Sequence, residues 1–415
     1  MAARYAEATL GIGRWEISRQ SPCEDGNIAL HASLHVEGPS MAIKFGVLST
    51  FPPTQCGLAT FSQALATHLQ GSGADVGVVR VVDRPQAPLR LVTHQFVLTA
   101  PGAAGAAADA LNTFDVAIVQ HEYGIYGGRD GVEVLDVLAE VRVPIIAVLH
   151  TVLAEPTAHQ HHVLAGVVEA ASVVVTMTET ARQRLITRWG VNPANVTVIA
   201  HGAEDNRTLV RDRPKTSART VLTWGLLGEG KGIEWALEAI AGLTDLTPRP
   251  VYRVVGQTHP RVLEREGEAY RDRLQALVRS FGIGSMVEFV GRYLDGETLR
   301  RIVRDADVIL LPYDSRDQVT SGVLTEAVVA GKPVVSTAFP HAVELLSSGA
   351  GILVPRQDPA AISAALRRVL TEPGVAAPMA ATARALAPAL LWPAVAEQYV
   401  KLGRLLLQTG ARSVA

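Results

Sequence analysis

Cysteine is nearly missing from this sequence: Cys23 and Cys56 are the only two in 415 residues. Two thiols so far apart make no disulfide framework and fit a reducing compartment. An excess of one charge is missing too. The formal net charge is −2, from 38 basic and 40 acidic residues. Such a chain has no basic footprint for a nucleic acid. Long hydrophobic runs are also lacking. No window reaches the roughly 18 continuous apolar residues of a membrane span. The opening "MAARYAEATLGIGRW" has no apolar core of signal-peptide length. The expectation is a soluble cytoplasmic protein with no nucleic-acid partner and no transmembrane segment. Peripheral contact with a membrane stays open.

Apolar residues, by contrast, make up 48% of the chain, enough for substantial cores. The length exceeds one ordinary core and suits two domains. Residues 1–40 carry no clean period and read as an N-terminal extension. From "IKFGVLST" (43–50) onward, short Val- and Ile-rich runs recur between helical stretches. They are "VGVVRVV" (76–82), "DVAIVQ" (115–120), "VPIIAVLH" (143–150), "SVVVTM" (172–177) and "VTVIAH" (196–201). Runs apolar on both faces, alternating with helices, indicate buried parallel strands. The polar stretch 204–220 reads as a linker. The pattern then restarts with "TVLTWG" (220–225), "VYRVVG" (251–256), "MVEFVG" (286–291), "DVILLP" (307–312), "KPVVST" (332–337) and "GILVP" (351–355). Two consecutive doubly wound, Rossmann-like α/β units follow, 41–207 and 208–389. An amphipathic helix at 390–407 and a tail to 415 complete the chain. Ligands of such folds sit at the carboxyl ends of the strands, here in a cleft between two units.

The stretch "TWGLLGEGKGIEWALEAI" (223–240) nearly spells a triphosphate-binding loop: Gly225, Gly230 and Lys231 fit that pattern. Gly232 stands where a hydroxyl should hold Mg²⁺. Asp314 in "DVILLPYD" is the one offer of a second acidic motif, interrupted by Pro-Tyr. Ile233, Ala236, Leu237 and Ile240 share one helical face, so the segment is strand, glycine turn, helix. A diphosphate held by amides and one lysine fits it better than a triphosphate with its metal.

Two tandem α/β units, the "GKG" turn and "SGVLTEAVVAGKPVVST" downstream together resemble the family 4 retaining glycosyltransferases, over about residues 43–407. The resemblance implies the GT-B fold, with the C-terminal helix crossing back to the first domain. The family signature is a Glu, seven residues, then a second Glu. The second is Glu326, expected to bind the nucleotide ribose by accepting its hydroxyl hydrogens. At the first position stands Gln318, which departs from the pattern but still bonds sugar hydroxyls. Asp317 beside it is a candidate to compensate. Ser321 and Gly322 open a helix whose amides, continuing through Val323 and Leu324, are expected to meet the donor diphosphate. The family's Arg and Lys clamp is half kept: Lys231 supplies the lysine, Leu226 replaces the arginine, and Arg292 is a candidate substitute. Gly225, Gly256 and 291–293 are expected around the nucleotide.

In the first unit, "STFPPTQCGLATFS" (49–62) matches the family's loop, with Gly57 bringing amides near the donor. Cys56 beside it reads as a core cysteine. His150 ends a strand and matches a histidine that contacts the transferred sugar. Gln120, His121, Glu122, Tyr123 and Tyr126 are expected to line an acceptor pocket. "HQHH" (159–162) has no local carboxylate or Cys to complete a metal sphere and reads as a solvated helix start.

The reaction implied is transfer of a hexose from a nucleotide-diphosphate sugar to a carbohydrate or other hydroxyl acceptor, with retention. GDP-mannose is the first choice of donor and UDP-glucose the second. Lys231 and the helix at Ser321 would stabilise the leaving diphosphate, with His150, Gln318 and Glu326 as the other catalytic candidates. No cofactor or metal is expected. The alternatives are a sugar phosphorylase on the same fold and a non-catalytic sugar-nucleotide module.

Overall fold

A computed structural model describes residues 42–207 and 218–413, the side chains of 410–413 excepted. The expected extension, most of the expected linker and the end of the tail lie outside the described residues. The first sheet has seven parallel strands: β1 (Lys44–Ser49), β2 (Asp75–Val82), β3 (Val92–Val97), β4 (Val116–His121), β5 (Ile145–Leu149), β6 (Val173–Thr176) and β7 (Val196–Val198). Its order is β3-β2-β1-β4-β5-β6-β7. The second has six: β8 (Thr220–Trp224), β9 (Val251–Val255), β10 (Val287–Val290), β11 (Val308–Leu311), β12 (Val334–Thr337) and β13 (Gly351–Val354). Their order is β10-β9-β8-β11-β12-β13. In each sheet the order reverses beside the first strand of the unit, at β1/β4 and β8/β11. Those are the switch points where doubly wound folds bind ligands.

Central strands are buried on both faces, as continuous Val/Ile/Leu runs require. Strand β3, "VTHQFV", was not foreseen. It lies at the sheet edge, half-buried, with Thr, His and Gln diluting the apolar signal.

The C-terminal helix runs Trp392–Ser413, starting and ending beyond the 390–407 read from the pattern. It crosses back. Ala203 and the chain before the helix clasp each other, the Ala203 amide donating to Leu390 O (2.8 Å) and the Trp392 amide to Ala203 O (3.1 Å). Trp392, Val395, Ala396, Tyr399 and Val400 then join the first unit's core, with Phe45, Phe61, Leu65 and Leu69. Leu406, the last residue of the expected stripe, is partly buried against the same cluster. Among the described residues no helix is long and apolar enough to cross a membrane.

Candidate active site

The turn after β8 explains the glycine that replaces a hydroxyl in the 223–240 stretch. Gly232 caps the helix Ile233–Ala241 at φ 65°. A Cβ there would lie 1.9 Å from the carbonyl oxygen of Pro312, in the loop after β11. No hydroxyl side chain fits at this position. Gly256, at φ 142°, is held in the same way: its Cβ would meet Gly225 O at 1.9 Å. The turns after β8 and β9 therefore press backbone to backbone, which no side chain permits. Asp314 is committed to Arg356 (2.9 Å) and Gln357 (2.6 Å). Among the described residues no group of three or more His, Cys, Asp and Glu is gathered for a metal.

Lys231 projects from this turn with Nζ 4.4 Å from the centre of the Tyr313 ring. Burial pulls its pKa down to about 8. The helix Gly322–Val329 begins beyond Tyr313, with Val323 Cγ2 3.7 Å from where a Gly225 Cβ would be on the same turn. The Ser321 hydroxyl accepts from the Leu324 amide (3.3 Å), and the Ser321 amide donates to His341 Nδ1 (2.8 Å). Leu324 is thus corrected: its amide is spent on the cap and its side chain is core, so neither reaches a donor. The amides of Gly322 and Val323 remain as first-turn donors at the positive end of the helix. The buried Tyr313 hydroxyl lies beside the Ser321 side chain. Further along, the Trp224 indole donates to Glu326 Oε2 (3.1 Å). Burial pushes the Glu326 carboxyl up to about 7, against the pull of that bond.

Gln318 lies in the loop that docks on the first unit. Asp317 Oδ1 accepts from the Ala154 amide (3.2 Å) and from Arg184 Nη1 (3.2 Å). It cannot stand in for the missing glutamate, which corrects that expectation. Val319 is buried within the first unit's core, and its carbonyl accepts from Thr178 Oγ1 (3.0 Å). Gln318 is therefore held from both sides, and among the described residues its side chain makes no hydrogen bond. Glu344 adds a further tie, its two oxygens accepting from the Glu179 and Thr180 amides at 2.8 Å each. Gln257 Nε2 donates to Gln55 Oε1 at 2.7 Å near the mouth. The carboxyl ends of the two sheets thus face each other across a largely closed cleft.

On the first-unit side, Gly57 starts the helix Gly57–Gly71, and a Cβ there would meet nothing within 4 Å. Space is left at this position rather than demanded by packing. Cys56 is not a core cysteine. It is half-buried, and its Sγ accepts from the Ala59 amide (3.4 Å) as the helix cap. His150 ends β5 with its ring edge-on to Phe61, 4.8 Å between centres. Its Nε2 lies 2.6 Å from Gln120 Oε1. That oxygen only accepts, so Nε2 carries the proton and Nδ1 keeps the lone pair. Burial holds His150 neutral, its pKa down to about 3.

The expected acceptor pocket is only partly formed by the residues named for it. His121 and Tyr126 are core side chains, and the Tyr126 hydroxyl donates to Gln120 O (2.6 Å). Gln120 is buried and spent on His150. Glu122 and Tyr123 are the two left at the rim, with Glu122 accepting from the Thr151 hydroxyl. "HQHH" starts a helix capped by Thr157, where His159 Nδ1 lies 2.9 Å from Asp130 Oδ2. Arg292 is exposed, and among the described residues it forms no ion pair.

Three residues escaped the sequence reading. Arg261 reaches across from the second unit, its Nη1 3.3 Å from where a Gly124 Cβ would be, and its charge lowers the Glu122 pKa against burial. His341 anchors the Ser321 amide. His201 packs on Gly322. Its signal was available, since it ends the run "VTVIAH" as His150 ends "VPIIAVLH"; the other two lie on helices and carried no motif.

Two Rossmann-like units with facing carboxyl ends and a helix that crosses back constitute the GT-B fold. Residues 218–372 match the family described as "Glycosyl transferases group 1". A D-inositol 3-phosphate glycosyltransferase of Kineococcus radiotolerans is 31% identical over 265 residues, 59% of this chain and 60% of that protein. A glycogen synthase of Mycobacterium tuberculosis is 27% identical over 226 residues, 54% of this chain and 51% of that one. The chain thus matches between half and three fifths of the length of these curated relatives. Among solved structures, a sucrose-phosphate synthase from Thermosynechococcus elongatus superposes with a TM-score of 0.71 at 21% identity, covering 89% of this chain and 100% of that one. Anabaena HepE in complex with UDP and glucose gives 0.69 at 15% identity, covering 87% and 99%. At such identities the likeness establishes the fold.

Proposed function

We propose that this protein transfers a sugar from a nucleoside-diphosphate sugar to a hydroxyl acceptor with retention of configuration. The carrying observation is Lys231 over the Tyr313 ring, the Tyr313 hydroxyl beside Ser321 at the head of the helix, and Glu326 one turn further on. A diphosphate laid on the Gly322 and Val323 amides would have a cation beside it and a carboxylate placed for a ribose diol. As the sugar–phosphate bond breaks, charge grows on the diphosphate, where the lysine and helix dipole act most strongly. Gln318, held in place with a side chain that bonds none of the described residues, is available to the sugar hydroxyls. The closed cleft would exclude water and suppress hydrolysis.

Relatives and neighbours support sugar transfer without fixing the donor. The family resemblance favours GDP-mannose, whereas HepE was solved with UDP. The test is a thermal-shift panel of GDP, UDP, GDP-mannose, UDP-glucose and inorganic phosphate. A ligand at 100 times its Kd adds about 2.7 kcal/mol to stability. Stabilisation by one nucleotide and its sugar is expected. Stabilisation by phosphate alone, with turnover that needs no nucleotide, would replace this reading with a phosphorylase.

Gln318 also separates an adapted residue from a decayed one. A glutamate there would put an uncompensated charge near the diphosphate, because Arg184 is already occupied by Asp317. The transfer rate of Gln318→Glu at saturating donor is expected to fall about tenfold, near 1.4 kcal/mol in barrier. A tenfold gain would show that the carboxylate was missed rather than replaced.

A further inference from the structure

His201 is not accounted for by the donor site as described so far. It is half-buried at the junction of three elements. Phe61, on the helix Gly57–Gly71, is edge-on to it at 4.9 Å between ring centres, and Trp392 lies 5.9 Å away. Its Nδ1 is 2.7 Å from the carbonyl oxygen of Gly202. A carbonyl only accepts, so Nδ1 bears the hydrogen and Nε2 holds a lone pair. That Nε2 lies 2.8 Å from where a Cβ on Gly322 would be. A helical Cβ leans toward the helix N-terminus, so the lone pair stands beside the free first turn. The absence of a side chain at Gly322 is what admits the imidazole.

A lone pair facing amide donors is harmless while the site is empty. A phosphate oxygen arriving at the Gly322 and Val323 amides would face another acceptor. The clash disappears if the ring gains a proton. We propose that His201 takes up one proton from solvent when a nucleoside-diphosphate sugar binds, and that Nε2–H then donates to a phosphate oxygen. No covalent bond is made or broken in this step. The inference rests on the donor-site reading above and adds a specific partner to it.

The surroundings fit this role. In the unliganded protein burial holds His201 neutral, its pKa down to about 4, against the pull of the Gly202 carbonyl. The neighbours from each packed element are His150 after β5, His341 on the helix Pro340–Leu346, Glu326 on the helix Gly322–Val329, and Glu204 three residues on in its own loop. His121 lies behind His150. Glu204 is paired with His68 Nε2 at 3.1 Å, on the helix Gly57–Gly71. Burial pulls the pKa values of His150 and His341 down to about 3, so both stay neutral at working pH. His341 is further excluded because its Nδ1 already accepts from Ser321. Phosphate would thus raise the pKa of the one imidazole whose lone pair points at it. By linkage, donor affinity would gain up to about tenfold per unit as pH falls through the raised pKa toward the free one. Glu326 works with the opposite sign, because a carboxylate that must stay ionised for ribose is lost as pH falls through about 7. The total proton count is therefore a sum, and the difference between variants isolates His201.

The probes are GDP-mannose and UDP-glucose, whose diphosphate diesters do not titrate in the working range. Calorimetry at pH 6.0 to 7.0 in two buffers of different ionisation enthalpy counts protons. Wild-type protein is expected to take up close to one more proton per ligand than His201→Asn or His201→Gln, whose amides donate without charging. The variants keep donor binding within about tenfold. An equal count in wild type and variants overturns the proposal while leaving the donor site standing. Failure of both sugars to bind wild type overturns the donor site itself. Should both variants fail to fold, ¹⁵N-imidazole spectra of wild type decide. One histidine passing from neutral to cationic on ligand addition supports the proposal, and none doing so overturns it.

Discussion

Lys231→Ala is expected to lower kcat/KM for donor by between about tenfold and a hundredfold, with the protein still folded. A charge-assisted hydrogen bond is typically worth about 1.5–3 kcal/mol. Leu226 stands where the resembled family carries an arginine, so no cation at that position masks the loss. The pH profile supplies an independent check. With its pKa pulled down to about 8, Lys231 is cationic below that pH and neutral above it. Donor affinity that depends on the cation is full below the free pKa of about 8 and declines as pH rises from there toward the higher pKa of the bound lysine. The alanine variant should lack this alkaline decline and keep the acid-side behaviour assigned to His201. Cys56→Ser is the control. A serine caps a helix at least as well as a thiol, so donor use should stay near wild type. Equal losses in the two variants would place the phosphate somewhere other than Lys231.

Sequence alone revealed most of the architecture, because buried parallel strands leave a plain trace. Val- and Ile-rich runs such as "VPIIAVLH" and "DVILLP" can be read without homologues. Strand β3 was lost because an edge strand needs only one buried face, and Thr93, His94 and Gln95 break its pattern. The site was legible wherever the chemistry is local. Gly232, Lys231, Ser321 and Gly322 sit in turns whose shape follows from their own residues. It was illegible where the partner is distant in sequence. Nothing near Asp317 announces that Arg184 and the Ala154 amide will claim its carboxylate. Nothing in "QHEYGIY" shows that the Tyr126 hydroxyl turns inward to Gln120 O, removing it from the acceptor side. Cys56 was misjudged for a related reason: burial statistics for cysteine say nothing of a helix start, where an Sγ can serve as the cap. His201 was passed over although its place after a strand matches that of His150. The feature that matters, a lone pair aimed at Gly322, comes from a turn closing between units 121 residues apart in sequence.

Trp392→Ala is expected to cost about 3–5 kcal/mol of stability, the range for removing a large buried aromatic. Trp392 is 3% exposed. Its ring meets Phe61 edge-on at 5.0 Å and stacks with His68 at 6.3 Å between centres. A Cβ on Gly202 would fall 2.2 Å from it, so backbone and indole fill the same pocket without room to spare. The tryptophan sits where the crossing helix begins, directly after the chain clasps Ala203. Its loss leaves a cavity between the first unit and the crossing helix, and the clasp itself cannot collapse into it without breaking the Trp392–Ala203 hydrogen bond. Urea unfolding followed by two probes, far-ultraviolet dichroism and intrinsic fluorescence, is the measurement, because a chain with two cores need not unfold in one step. The first unit's transition should move to lower urea while the second unit's moves less. Leu405→Ala on the same helix is the comparison, since Leu405 is 54% exposed and should shift stability by no more than about 0.5 kcal/mol. Equal, small shifts for both would mean that the crossing helix rests on the first unit without supporting it. The cavity also borders Phe61 and His201, so Trp392→Ala should weaken donor binding even at temperatures where it is folded.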